Sequence, residues 1–165
     1  MPIHFRPATA DDAPAIAALY NQYVAMPAVT FEFDPVSPET TATRIADVEK
    51  AGLPWLVAMD GDALLAYAYA SPWKAARAAY RFSVESSIYV DPAFTGQRIG
   101  VPLYIALIDA LRERGIHSVI GGILLPNEAS ERLHARLGFV HVAQFREVGF
   151  KRGQWLDVAY WQLHL

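Results

Sequence analysis

Apolar positions along this chain follow two periods, and the two alternate in a definite order. IHFRPA, residues 3–8, reads as a short first strand. Thr9 to Asp12 supplies a helix start, and APAIAALYNQYVA continues it with helical spacing. Pro27 to Pro38 breaks both periods: FEFDPVSP is an irregular loop holding two phenylalanines. Ser37-Pro38-Glu39 opens a second helix to about Lys50, and Gly52 and Pro54 stop it. WLVAMD and ALLAYAYA flank Gly61-Asp62, a hairpin signal, and RFSVESSIYV is a third strand run rich in β-branched and aromatic residues. The spacing then predicts a helix over 98–114, ended by Gly115, and a strand in HSVIGGIL. Pro126-Asn127 opens the helix NEASERLHARLG, which Gly138 ends, and FVHVAQFREVGF and WLDVAYWQLHL close the chain as two more strands.

The order is βα(α), three strands, then αβαββ. It predicts a mixed α/β (α+β) fold with helices on both faces of a sheet. No repeat, low-complexity segment or linker divides the chain, so one domain over residues 1–165 is expected.

Composition narrows the chemistry. With 53% hydrophobic and 19% charged residues, the chain has the apolar content of a globule. A net charge of −3 gives no electrostatic reason to expect nucleic acid as a partner. The absence of cysteine removes disulfides, thiolate metal sites and a cysteine acyl-enzyme. The five histidines show no paired ligand spacing, so no metal is expected, and no G-x-S-x-G elbow is present. MPIHFRPATADD lacks a basic segment followed by an apolar core, and no apolar run reaches the ~20 residues that span a bilayer. The expectation is a soluble, cytoplasmic protein with no membrane partner.

The stretch with the sharpest chemical meaning is FTGQRIG, residues 94–100. It follows SSIYV and Asp91-Pro92 and opens the amphipathic run IGVPLYIALIDALRERG. Strand, loop, then helix places backbone N–H groups in front of a phosphate. The stretch lacks both the glycine spacing of a dinucleotide loop and the Lys-Ser/Thr of a nucleoside-triphosphate loop.

FSVESSIYV, the loop and helix at 94–100, LPNEASERLHARLGF and GFKRGQWLDVAYWQ, in this order and at these spacings, resemble the GNAT acetyltransferase superfamily. Within it, YNQYV, YASPWKAA, SVESS and the G-W-DV-WQ ending are similar to the phosphinothricin and methionine-sulfoximine N-acetyltransferases and their amino-acid-acetylating relatives. The resemblance covers nearly the whole chain. It implies a central mixed, mostly antiparallel sheet of about seven strands, acetyl-CoA as co-substrate, a small-molecule amine as acceptor, and a homodimer.

The resemblance also implies the phosphate: the pyrophosphate of acetyl-CoA, wrapped by N–H groups from Thr95, Gly96, Gln97, Arg98, Ile99 and Gly100. The chain departs from the family loop Q/R-x-x-G-x-G/A, because Thr95 replaces the Gln/Arg and Arg98 the middle glycine. An arginine still supplies its N–H where the local φ/ψ suits a residue with Cβ, and its guanidinium can pair with phosphate. Ile88, Tyr89 and Val90 are implied to meet the pantetheine arm, through backbone groups at Ile88 and Val90. Asn127 and Ser130 are implied cofactor contacts, and Asn127 is by itself also a plain N-cap.

Two residues are catalytic candidates. Glu85 sits mid-strand in an apolar run; alternation alone reads equally as a solvent-facing residue, and the family match makes it the general base. His134 lies seven residues after Asn127, on roughly the same helical face. It is either the acid that protonates the departing thiolate, in place of the tyrosine of many relatives, or a surface or core histidine.

For the acceptor, Phe31, Glu32, Trp73, Lys74, Arg77 and Tyr80 are the candidates, with Arg81 alongside. KAARAAYR offers cations for a carboxylate or phosphinate. Arg77 matches an arginine of the phosphinothricin enzymes, although Pro72 to Tyr80 is one residue longer here. Two further readings stay open: an acetyltransferase for another amine (a peptide N-terminus, polyamine or aminoglycoside), or a non-catalytic acyl-CoA-binding module.

Overall fold

The computed structural model describes residues 2–165. Seven strands form one sheet: β1 (His4–Pro7), β2 (Trp55–Asp60), β3 (Ala63–Pro72), β4 (Ser83–Val90), β5 (Ser118–Leu124), β6 (Val140–Lys151) and β7 (Gln154–His164), in the order β1-β2-β3-β4-β5-β7-β6. Every pairing is antiparallel except β4 with β5, where α3 (Gly100–Glu113) makes the crossover. The expected mixed, mostly antiparallel sheet is thus observed.

Two helices cover one face. In α1 (Ala13–Val24) and α2 (Pro38–Lys50), Ile16, Leu19, Ile45 and Val48 are buried against Trp55, Val57, Met59 and Tyr67. On the other face Leu103, Tyr104, Leu107 and Leu111 of α3 pack on Ala66, Ala68, Val84 and Val119. β3 shows why: its alanines 66, 68 and 70 turn to α3 and admit it closely, while Tyr67 packs with the α1 and α2 side. The fourth helix, α4 (Glu128–Arg136), returns to the α3 side, where His134 meets Tyr104 and Phe139.

Several boundaries move from those expected. α3 begins at Gly100 rather than 98, because Arg98 has φ 61°, a left-handed value no helix residue adopts. β4 begins at Ser83, since Arg81 and Phe82 are still in the turn that follows β3. The Gly61-Asp62 hairpin is present, with Asp60 opposite Ala63 and Gly61 at φ 57°.

One irregularity of the sheet matters most. β4 and β5 pair only from Ser83 with Ser118 to Ser86 with Gly121. Beyond those residues the two strands part, although β4 runs on to Val90 and β5 to Leu124. A wedge-shaped gap opens in the middle of the sheet.

Candidate active site

The gap is lined by Ser86, Ser87, Ile88, Tyr89, Gly122, Asn127, Ser130, His134 and Val29, around a cavity of about 60 Å³. Strand alternation sets what it offers. Ser83 and Asp91 bond across to β3, so the odd-numbered residues of β4 give their backbone groups to that neighbour. The even-numbered ones turn theirs toward β5, and past Ser86 the ladder has ended, which leaves Ile88 and Val90 facing the gap. The Val90 carbonyl accepts a hydrogen bond from the Tyr23 hydroxyl. A gap edged by main-chain donors and acceptors at strand spacing suits an extended amide-bearing arm such as pantetheine.

At the far end of β4 the chain turns through Pro92–Phe94, with the Asp91 carboxylate accepting from the Ala93 N–H at 2.8 Å. Gly96 (φ 80°) and Arg98 (φ 61°) both adopt the left-handed conformation, and Ile99 leads directly into α3. The first N–H groups of α3 have no partner within the helix, and such groups suit an anion. Arg98 stands where the family loop has glycine, and its backbone takes the conformation glycine favours. Thr95, Gly96, Gln97 and Arg98 are exposed.

Glu85 projects to the opposite face from Ser86, and it is half-buried. Burial pushes its carboxyl above the usual carboxylate range, and among the described residues no cation pairs with it. Gly122 clears space beside it: a Cβ there would lie 3.3 Å from Glu85 Oε1 and 3.3 Å from the Tyr160 ring. Burial first and the Glu85 charge second push the Tyr160 phenol up. Tyr160 meets Trp73 edge-on at 5.9 Å and Phe145 at 5.4 Å. An ionisable carboxylate thus stands in a largely aromatic wall.

His134 is buried, the core alternative the sequence left open, yet it borders the gap. Its Nδ1 lies 2.8 Å from the Ser130 carbonyl, which can only accept, so Nδ1 carries the proton. Nε2 is then the acceptor for the Tyr104 hydroxyl at 3.1 Å, and the Ser86 hydroxyl donates in turn to Tyr104 at 2.6 Å. Burial lowers the imidazole pKa, against a smaller opposing effect of the Ser130 carbonyl. Asn127 caps α4, its Oδ1 accepting from the Ser130 N–H at 3.2 Å, and also lines the gap.

The acceptor candidates divide between places. Phe31 lies over Gly149 of β6, where a Cβ would come within 1.9 Å of its ring. Glu32 gives both carboxylate oxygens to Arg44, at 2.5 and 3.1 Å, which holds it below the usual carboxylate range. Trp73, Arg77, Tyr80 and Arg81 line a separate cavity of about 390 Å³, together with Arg114 and Ile116; Glu85 does not line it. Trp73 connects the two places through Tyr160. Lys74 is exposed, 5.7 Å from the Trp73 ring centre.

Sequence reasoning passed over Tyr23, Ser86, Tyr104 and Gly121. The Gly121-Gly122 pair was the available signal, because consecutive glycines inside a strand mark close approach. A Cβ on Gly121 would sit 2.5 Å from His134 Nε2. The described residues include no helix long and apolar enough to cross a membrane.

Comparison with known proteins agrees with this geometry. The model of the acetyltransferase (GNAT) domain matches residues 5–160. The chain is 40% identical over 164 residues to a phosphinothricin N-acetyltransferase of Streptomyces coelicolor, covering 97% of this chain and 95% of that one. It is 36% identical over 154 residues to an L-methionine sulfoximine/L-methionine sulfone acetyltransferase of Salmonella typhimurium, covering 93% and 90%. The crystal structure of a phosphinothricin acetyltransferase from Sinorhizobium meliloti in complex with acetyl-CoA superposes with a TM-score of 0.94 at 36% identity, covering 100% of this chain and 89% of that one. The chain belongs to the GNAT acetyltransferase family and is an acetyl-CoA-dependent N-acetyltransferase.

Proposed function

We propose that the protein acetylates the α-amino group of a small amino acid or analogue, with phosphinothricin, methionine sulfoximine and methionine sulfone as the leading acceptors. The amine attacks the thioester directly in a ternary complex, since no cysteine is present to carry the acetyl group. The observation that carries this reading is Glu85: a half-buried carboxylate without a counter-ion, in an aromatic wall beside the opening of the sheet. The names of the relatives supply the acceptor class.

In this reading Glu85 takes the ammonium proton, directly or through one water, and its raised pKa suits a base better than a free glutamate would. Backbone groups of Ile88 and Val90 align the pantetheine arm, and an N–H there polarises the thioester carbonyl. The N–H groups of residues 95–100 and the start of α3 hold the pyrophosphate. Asn127 and Ser130 border the same arm. His134, neutral and with both nitrogens engaged, has no proton to offer from Nε2; it fixes Tyr104 and, through it, Ser86 at the wall of the gap. Phe31 and Trp73 bound the acceptor side chain. Arg77 lines the cavity beyond Trp73, which Glu85 does not, so it is assigned to the distal phosphinate or sulfoximine end of the acceptor and not to the carboxylate beside the amine. Glu32 acts through Arg44 by holding the loop that carries Phe31.

We also infer a homodimer. β6 is the outer strand of the sheet, and Val140, Val142, Val148, Phe150 and the adjoining Trp155 are all at least half exposed on it. An apolar edge of that kind is a pairing surface.

Thiol release from acetyl-CoA, followed with a disulfide dye, tests the acceptor. The panel is phosphinothricin, methionine sulfoximine, methionine sulfone, the common amino acids, a polyamine and an aminoglycoside. Fast release with the first three is expected. Release confined to the polyamine or aminoglycoside overturns the reading.

A further inference from the structure

Lys151 is a buried lysine, 1% exposed, near the end of β6. Its three ammonium protons go to three main-chain carbonyls: Val24 at 3.1 Å, Met26 at 3.2 Å and Thr30 at 2.7 Å. Among the described residues no carboxylate forms an ion pair with it, and Glu32 acts on it only from a longer range. A buried cation is costly unless it is fully hydrogen-bonded, and here the hydrogen bonds come from one short segment more than a hundred residues away. α1 has no basic residue in its last turn, so its terminal carbonyls have no cation of their own helix. Lys151 supplies one from across the molecule.

The segment it holds runs from the end of α1 to Phe31. On the helix side, the hydroxyls of Tyr20 and Thr30 meet at 2.6 Å and Arg44 clamps Glu32. Asn21 exchanges hydrogen bonds with both main-chain groups of Val36. Those ties all lead back to α1 and α2. Lys151 ties the same segment to β6, two residues beyond Gly149, on which the Phe31 ring lies. β6 pairs with β7, and Tyr160 of β7 flanks Gly122 and Glu85.

We propose that Lys151 is a positioning residue for the acceptor: its ammonium fixes residues 24–31 against β6 and so sets the distance between Phe31 and the Glu85 wall. This rests on the reading of Phe31 as part of the acceptor pocket. The effect falls mainly on the acceptor: β4, β5 and α4 with its N-cap supply all of the lining of the gap for acetyl-CoA except Val29, which alone belongs to the held segment.

The test is Lys151→Met, which keeps the bulk and removes the three donors, compared with Phe31→Ala and the wild type. The readouts are kcat and KM for phosphinothricin, acetyl-CoA affinity by calorimetry, and amide hydrogen exchange. Lys151→Met is expected to lower kcat/KM for the acceptor about tenfold or more, as misplacement near reacting groups does. Acetyl-CoA affinity should stay within about threefold, because Val29 is the one lining residue of its gap in the loosened segment. Exchange should quicken at residues 25–32 while α3 stays protected. A merely structural lysine would lower the melting temperature without separating the two substrates. If Phe31→Ala impairs acceptor kinetics and Lys151→Met does not, the role given to Lys151 is overturned. If Phe31→Ala leaves acceptor kinetics intact, the pocket reading fails instead, and exchange alone reports whether Lys151 holds the segment. Should Lys151→Met not fold, Gly149→Ala displaces the Phe31 ring while leaving the ammonium in place. It is expected to raise the acceptor KM, and an unchanged KM overturns the pocket reading. Lys151→Arg, which keeps the charge and changes the donor geometry, overturns the role of Lys151 if acceptor KM and exchange at residues 25–32 both stay as in the wild type.

Discussion

At the scale of single side chains, the role proposed for Glu85 makes the sharpest prediction. Replacing it with Gln keeps the shape and removes the base, so kcat should fall by roughly 10²–10⁴-fold. Unchanged turnover would remove Glu85 from the role. The carboxylate must be ionised to act and its pKa is raised by burial, so turnover should fall as pH drops through a value above the ordinary glutamate range. Glu85→Gln should abolish that acid limb. Stability carries the opposite sign. A folded-state pKa above the unfolded one means that ionisation costs the fold something at neutral pH and nothing below the unfolded pKa. Glu85→Gln should therefore melt higher than wild type at pH 7, with the gap closing near pH 4. Thermal melts at the two pH values check this.

At the scale of elements, the loop between β4 and α3 is the informative one. Its course depends on residues 96 and 98 turning left-handed, and at 98 an arginine does so. For a residue with Cβ this costs roughly 1–2 kcal/mol, and more for a β-branched one. Arg98→Gly should keep acetyl-CoA binding within a few-fold, whereas Arg98→Val should weaken it by about tenfold, the equivalent of ~1.4 kcal/mol. Calorimetric titration of the two variants separates backbone from guanidinium. A large loss in Arg98→Gly would assign the binding to the side chain.

For the whole molecule, the outer position of β6 is decisive. Val142 is 52% exposed and Trp155 62% on the last two strands of the sheet. A dimer that hides this edge should give a scattering mass of twice the 18.3 kDa chain. Val142→Asp should shift it toward the monomer, because a carboxylate opposed to an apolar surface is penalised on burial. A monomeric wild type at working concentration would sink the dimer.

The periodicity of the chain was enough for the strands, the helices and their order, because each strand and helix buries a face that local sequence must write at period 2 or near 3.6. Family-like stretches pointed to Glu85, inside β4, and to the 94–100 loop and Asn127, which sit at a strand-to-loop and a loop-to-helix junction, because each carries a short local signature. What local sequence does not carry is which distant groups meet. Lys151 reads as one of the two charges of a Lys-Arg-Gly turn, and only the fold brings the carbonyls of Val24, Met26 and Thr30 to it. His134 reads equally as acid or core until Gly121 and Tyr104 close around its ring. Arg77 follows Trp73 by four residues, yet the two line a cavity that Glu85 does not reach. The parting of β4 and β5 after Ser86 is a property of the pairing and of neither strand alone. Local sequence fixes which backbone each segment adopts; the burial of charge, the tautomer of a histidine and the opening of a sheet depend on partners far along the chain, and only the tertiary structure chooses those.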